Sequence, residues 1–256
     1  MIYYEKLVNN NTNEWVTFIH GAGGSSSIWF KQVEDFKKQF NVILLDLRGH
    51  GKSKNSHVNV KEYNFKSISE DILKVLDKEN IKKTHLVGIS LGSIIARHFI
   101  YLFPERCKSA VLGGMVVRVN LISKVLLFAS NLLKAILPAM LLYKVLAKII
   151  LPKRNQIDSK KKYIQEAKKI SQDEFLKWFK TTNEIRSIFK TFKKETKVPI
   201  QIIQGREDLI FLKDILNYTK KRKKIKLEIV ENCGHVVNIQ SAGIFNQTAI
   251  DFIKQN

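Results

Sequence analysis

Cysteine is nearly absent from this 256-residue chain: Cys107 and Cys233 stand 126 positions apart and form no C-x-x-C pair. That excludes a disulfide framework and a cysteine-ligated zinc site, and it fits a reducing compartment. Proline is sparse, at 4 residues, while 45% of the chain is hydrophobic, so a sizeable core can form and the signature of disorder is missing. Long uncharged apolar runs are missing too. Lys124, Lys134, Lys144 and Lys148 interrupt the greasiest stretch, which argues against a conventional membrane-spanning helix but leaves surface association open. The opening MIYYEKLVNNNTNEW lacks the basic start, apolar run and small-residue cleavage site of a secretory signal, and the expected location is the cytoplasm.

Acidic residues are the other scarcity: 23 Asp and Glu face 44 Lys and Arg, for a formal charge of +21. The imbalance is uneven. Residues 115–197 carry 19 basic against 6 acidic residues, whereas 198–256 carry 9 against 6. From Arg106 to Ile157 there is no acid at all, in a stretch dominated by Leu, Ile, Val and Ala. Nucleic acid, an anionic membrane and an acidic ligand would all be attracted to such a region. Without zinc-finger spacing, a basic zipper or an RNA-binding aromatic signature, nucleic acid is the weakest of the three and is not expected as a partner. A lysine-rich solvated face is the plain alternative.

Short β-rich runs alternate with longer amphipathic segments, the pattern of an α/β fold with a mostly parallel sheet flanked by helices. Strands are expected at Trp15 to Ile19, Val42 to Asp46, Thr84 to Ile89, Ser109 to Gly113, Val198 to Gln204 and Lys226 to Val230. Helices are expected at Ile28 to Lys38, Ser67 to Glu79, Leu91 to Phe103 and Ile239 to Lys254. The alternation stops between Met115 and Lys197, where helical patterns run without a convincing strand, so an insertion between two sheet strands is expected there. Its apolar part, Leu121 to Leu151, reads as one or two helices with a kink at Pro138. Further along it, Phe175, Trp178, Phe179, Phe189 and Phe192 have the spacing of a buried stripe.

Gly88-Ile89-Ser90-Leu91-Gly92 has G-x-S-x-G spacing where a strand should end and a helix begin. A serine at so sharp a turn takes a strained backbone conformation, and its neighbours two residues away must be small. The turn lifts the Ser90 hydroxyl above the sheet and sets the Leu91 N–H beside it. A glycine-flanked helix cap is the plain alternative. His235, on the loop after the last strand, is the candidate base, because ligand chemistry gathers at the carboxyl ends of parallel strands. Asp208 follows the preceding strand and can hold the imidazole in the useful tautomer, with Glu207 as the rival acid and a solvated turn as the alternative for both. The loop His20-Gly21-Ala22-Gly23-Gly24-Ser25 offers a second backbone donor, Ala22 N–H, to a developing oxyanion. His20 is expected to shape that loop rather than act as a base.

Other patterns fail on spacing. Gly51-Lys52-Ser53 resembles the end of a phosphate-binding loop, but Asp46 stands where its first glycine should be, and GAGGSSS at 21–27 does not give G-x-G-x-x-G. His50, His57, His85 and His98 show no metal-ligand spacing and are expected to be structural or surface residues. Cys233 is expected to be a small buried filler.

The set HGAGG at 20–24, DLRGHGKS at 46–53, GISLG at 88–92, QGRED at 204–208 and CGH at 233–235 resembles the α/β-hydrolase superfamily, in its compact bacterial branch with a helical cap. The resemblance covers both flanks of the chain. It implies a hydrolase core of residues 1–114 and 198–256 with a cap of 115–197, Ser90 as nucleophile, His235 as base, Asp208 as supporting acid, and Ala22 with Leu91 as the oxyanion hole. No resemblance extends into the cap. The expected activity is hydrolysis of a small-molecule carboxylic ester or thioester with an apolar acyl group, through an acyl-enzyme and without cofactor or metal. Perhydrolysis, carbon–carbon hydrolysis and aminopeptidase chemistry would use the same triad. Dehalogenase and epoxide hydrolase relatives carry an aspartate at the position of Ser90 and are disfavoured. A protein of another class, binding lipid or an anionic membrane surface through the basic cap without catalysis, should lack a triad member, and none is missing.

Overall fold

A computed structural model describes residues 1–54, 56, 60–134, 136–220, 222 and 224–256; His57, named above, lies outside the described residues. Seven strands form one sheet: Tyr4–Leu7 (β1), Trp15–Ile19 (β2), Asn41–Leu45 (β3), Thr84–Ile89 (β4), Cys107–Gly113 (β5), Ile200–Gly205 (β6) and Ile225–Val230 (β7), in the order β1-β3-β2-β4-β5-β6-β7. All neighbours are parallel except β1, which runs antiparallel to β3 with Tyr4 opposite Leu45. Every residue of β3, β4 and β6 is buried, as strands covered on both faces must be. The six parallel strands lie where the sequence pattern sets them, within two residues at each end; β1 is additional.

The helices are Val33–Lys37 (α1), Phe65–Lys78 (α2), Leu91–Leu102 (α3), Leu121–Leu133 (α4), Ala139–Ile150 (α5), Ile157–Ala167 (α6), Gln172–Lys180 (α7), Ile185–Thr191 (α8), Leu212–Thr219 (α9), Val237–Gln240 (α10) and Ala242–Lys254 (α11). One face of the sheet is covered by α2 and α3, with Ile68, Ile72, Val75, Ile95 and Phe99 in its core. The other is covered by α1 and α11, around Phe18, Trp29, Phe36 and Phe245. The helix expected from Ile28 to Lys38 is split, because Ser25 caps a short 3₁₀ turn over Ser26–Trp29 before α1 begins. That expected from Ile239 to Lys254 starts earlier and breaks at Ser241, between α10 and α11.

Helices α4 to α8 all lie between β5 and β6. Pro138 caps α5, where its missing N–H costs nothing, and so separates two helices rather than kinking one. The expected aromatic stripe divides between two cores. Phe175 joins Ala139, Tyr143 and Ala167 in a small cluster of the inserted helices, while Trp178, Phe189 and Phe192 join the main core. The Trp178 indole N–H donates to the Arg48 carbonyl at 2.8 Å, which fastens α7 to the loop after β3. None of the described helices is long and apolar enough to cross a membrane.

Candidate active site

Ser90 sits between the end of β4 and the first residue of α3, at φ 54° and ψ −117°. A non-glycine residue there stores on the order of 1–3 kcal/mol of strain, which the surroundings must impose. They do so by crowding. A Cβ on Gly92 would lie 2.0 Å from the Ile19 carbonyl oxygen, and one on Gly88 would lie 2.5 Å from the Gly92 carbonyl oxygen. The Ser90 N–H donates to the Gly113 carbonyl at the end of β5, at 3.0 Å. Glycine at 88 and 92 thus lets helix and strand approach closely enough to force the turn.

The three residues expected to meet at the carboxyl edge of the sheet do meet. His235 Nε2 lies 2.9 Å from Ser90 Oγ, and its Nδ1 lies 2.7 Å from Asp208 Oδ2. Asp208 and His235 are 1% and 3% exposed, so Asp208 is no solvated turn residue. The loops that carry them are tied together, since the Arg206 and Glu207 N–H groups donate to the Val230 and Cys233 carbonyls at 2.8 Å. Asp208 has further support: its Oδ2 accepts from Gln204 Nε2 at 2.5 Å and its Oδ1 from the Phe211 N–H at 3.2 Å. Gln204 in turn accepts from the Met115 N–H at 2.9 Å. Glu207 points elsewhere. It accepts from Lys153 Nζ at 2.8 Å and Asn155 Nδ2 at 3.0 Å, contacts that hold its carboxyl below the usual range.

The loop after β2 rests on two buried imidazoles. His20 Nδ1 is 2.8 Å from the Gly21 carbonyl and its Nε2 accepts from the Leu47 N–H at 3.0 Å. His50 repeats the arrangement, with Nδ1 2.8 Å from the Arg48 carbonyl and Nε2 accepting from the Gly23 N–H at 3.2 Å. These partners fix both rings as neutral with the proton on Nδ1. Burial pushes their pKa values down, to about 4 for His20 and about 3 for His50. His20 therefore shapes the loop, as the sequence suggests. Among the described residues, neither the Ala22 nor the Leu91 N–H donates to another group.

A cavity of about 90 Å³ opens over Ser90 and His235, lined by Ala22, Ile28, Leu146, Ile150, Tyr163 and Ile239. A second, of about 220 Å³, shares Ala22 and Leu146 and runs past Leu91 between Leu126, Leu127 and Phe175. The inserted helices supply the apolar walls, while Lys144 and Lys148 of α5 face outward. Glu166, buried at the edge of the first cavity, accepts from Ser25 Oγ at 2.6 Å and Lys169 Nζ at 2.8 Å. Burial alone would raise its pKa, but hydrogen bonds from Lys169, Ser25 and Ser27 outweigh it and hold the carboxyl at about 2.

Among the described residues no group of three or more His, Cys, Asp or Glu side chains is placed to hold a metal ion. His50, His85 and His98 are buried, and Cys233 is buried with its thiol pKa pushed up by burial to about 11. Gln204, Glu166 and His50 are site-supporting residues that spacing does not single out. Gln204 and His50 fall within the QGRED and DLRGHGKS segments, which is the local signal for them, and it points to no particular partner.

A family profile described as alpha/beta hydrolase fold matches residues 14–134. The 3-oxoadipate enol-lactonase 1 of Acinetobacter baylyi is 35% identical over 81 residues, 32% of this chain and 29% of that protein. The pimeloyl-[acyl-carrier protein] methyl ester esterase of Wigglesworthia glossinidia brevipalpis is 34% identical over 97 residues, 38% of this chain and 34% of that protein. The matched segments thus span about a third of the length of such relatives. The solved structure of MenH from S. aureus covers 100% of this chain and 99% of its own with a TM-score of 0.85 at 22% identity, a likeness of fold. Strand order, the serine turn between β4 and α3 and the profile matched over residues 14–134 agree on one architecture: the chain has the α/β-hydrolase fold.

Proposed function

We propose that the chain is a serine hydrolase that cleaves a carboxylic ester or thioester bearing an apolar acyl group. The observation that carries the reading is the relay Ser90 Oγ, His235, Asp208 at the floor of an apolar cavity, with spacings of 2.9 and 2.7 Å. In this reading His235 Nε2 removes the Ser90 proton as the oxygen attacks the carbonyl carbon, and Asp208 stabilises the imidazolium. The Ala22 and Leu91 N–H groups receive the oxyanion, a role for which such donors must be free of other partners. His235 then protonates the departing alcohol or thiol, and water, deprotonated by the same imidazole, releases the acid and restores Ser90. Residues 115–197 act as the cap that walls the acyl group from water, and residues 1–114 with 198–256 as the core.

The ester bond is also the common element in the names of the enol-lactonase and methyl ester esterase relatives. The test is labelling by a fluorophosphonate together with a series of p-nitrophenyl esters and acyl thioesters of graded length. Labelling of wild type, its loss in Ser90→Ala, and a kcat/KM that rises with acyl length are expected. An unlabelled wild type that turns over none of the series would reject the reading.

A further inference from the structure

Helix α4 buries none of its residues, yet it is one of the most apolar helices of the chain. Leu121, Val125, Phe128 and Leu132 follow one another at i, i+4, i+7 and i+11, so they share one face, and they are 75, 59, 68 and 59% exposed. Beyond the helix end, Ile136 is 79% exposed, and on α5 Leu141 and Val145 are exposed as well. Scattered surface leucines are ordinary; a continuous stripe marks a surface that meets something apolar.

The charges around the stripe say what that is. Lys124 on α4 and Lys144 and Lys148 on α5 are exposed, and among the described residues none of them forms an ion pair. No acid occurs between Arg106 and Ile157. We infer that this face of α4 and α5 docks on an anionic lipid bilayer, with the stripe in the acyl boundary and the lysines at the headgroups. A second copy of the chain would bring the same acid-free, lysine-bearing surface against itself, in a molecule of net charge +21. Protein partners favour Tyr, Trp and Arg at the centre of contact and exclude Lys, the reverse of this patch.

The opposite side of α4 gives the docking a purpose. Leu126, Leu127 and Ser130 line the second cavity, which passes Leu91 and Ala22. One helix therefore offers its outer face to the bilayer and its inner face to the proposed reaction site, so an acyl chain leaving the membrane has an apolar route to Ser90. The docking rests on the surface alone; that the bilayer delivers the substrate rests on the ester-hydrolase reading above.

Sedimentation with large vesicles tests it. Wild type and Ser90→Ala should both bind vesicles of equal parts phosphatidylglycerol and phosphatidylcholine, and neither should bind pure phosphatidylcholine. Each lysine near an anionic surface is worth about fivefold in binding, so Lys124→Glu with Lys144→Glu and Lys148→Glu should weaken it on the order of a hundredfold. Val125→Ser with Phe128→Ser and Leu132→Ser should weaken it at least about tenfold. Circular dichroism and the thermal midpoint check that both triple variants stay folded, and turnover of a soluble short ester should be unchanged in them. Equal binding to both vesicle types, or wild-type binding by the folded serine variant, would overturn the inference. So would a vesicle-free dimer that the serine variant abolishes, which assigns the stripe to a second copy, or capture by poly-glutamate as tight as by vesicles and lost in that variant, which assigns it to an acidic protein.

Discussion

Ser25 Oγ donates a 2.6 Å hydrogen bond to Glu166 Oε2, joining the loop that carries Ala22 to the inserted helix α6. The carboxylate is nearly inaccessible and also holds Lys162 at 3.3 Å and Lys169 at 2.8 Å. Glu166→Ala would free both lysines to reach water but leave Ser25 without its buried acceptor. The expected cost is about 1–3 kcal/mol of stability, read as a lower thermal midpoint, with a parallel fall in kcat as the loop loosens. Glu166→Gln keeps an acceptor oxygen for Ser25 and should recover most of both. Equal damage from the two variants would mean that the charge, not the hydrogen bond, is what matters.

Asp208 and Glu207 are adjacent in sequence but turn to different partners. Only Asp208 reaches the imidazole. Asp208→Asn should leave the fold in place and lower kcat by about 10³- to 10⁴-fold, because the amide no longer selects the productive tautomer. Glu207→Gln should change kcat by no more than about threefold, because its partners Lys153 and Asn155 are exposed. Ester turnover at saturating substrate decides between them, and a large loss from Glu207→Gln alone would reverse the assignment.

Two glycines in helices should respond in opposite directions to alanine. At Gly92 the new methyl would meet the Ile19 carbonyl at 2.0 Å, whereas at Gly243 nothing lies within 4 Å. Gly92→Ala must push α3 away from β2, which costs about 1–3 kcal/mol or more and disturbs Ser90. Gly243→Ala in α11 should gain about 0.5–1 kcal/mol, since alanine loses less backbone entropy there. Urea unfolding of the two variants measures both signs.

Much of this arrangement is legible in the sequence because it is local. The glycines around Ser90, the strand ends at Gly205 and Val230 and the order of the loops all lie within a few residues of the groups they position. What is not legible depends on distant contacts. Strand β1 is a four-residue edge strand, Tyr-Glu-Lys-Leu, too short and too exposed for alternation to mark it, and it exists because β3 offers a free edge. Helix α9 is amphipathic but only 8 residues long, too short for its periodicity to stand out from a loop. Gln204 acquires its role from Met115 and Asp208, which meet only when β5 and β6 pair.

The two neutral imidazoles beneath the Ala22 loop set an acid limit on stability. His20 and His50 lie tilted at 53° with ring centres 4.9 Å apart, and each uses Nε2 to accept a backbone N–H, so a proton there both buries a charge and deletes a hydrogen bond. An unfolded histidine takes its proton near pH 6.5, while folded His20 holds out to about 4 and folded His50 to about 3. Between those limits the unfolded chain binds more protons, so stability is fully present above pH 6.5 and is lost as pH falls toward 4 and then 3. His20 alone accounts for about 3 kcal/mol of that loss. His50→Gln supplies an amide oxygen to the Gly23 N–H without any ionisation, and it should flatten the decline of the thermal midpoint between pH 6 and about 4. A midpoint that falls as steeply in His50→Gln as in wild type would place the acid sensitivity elsewhere.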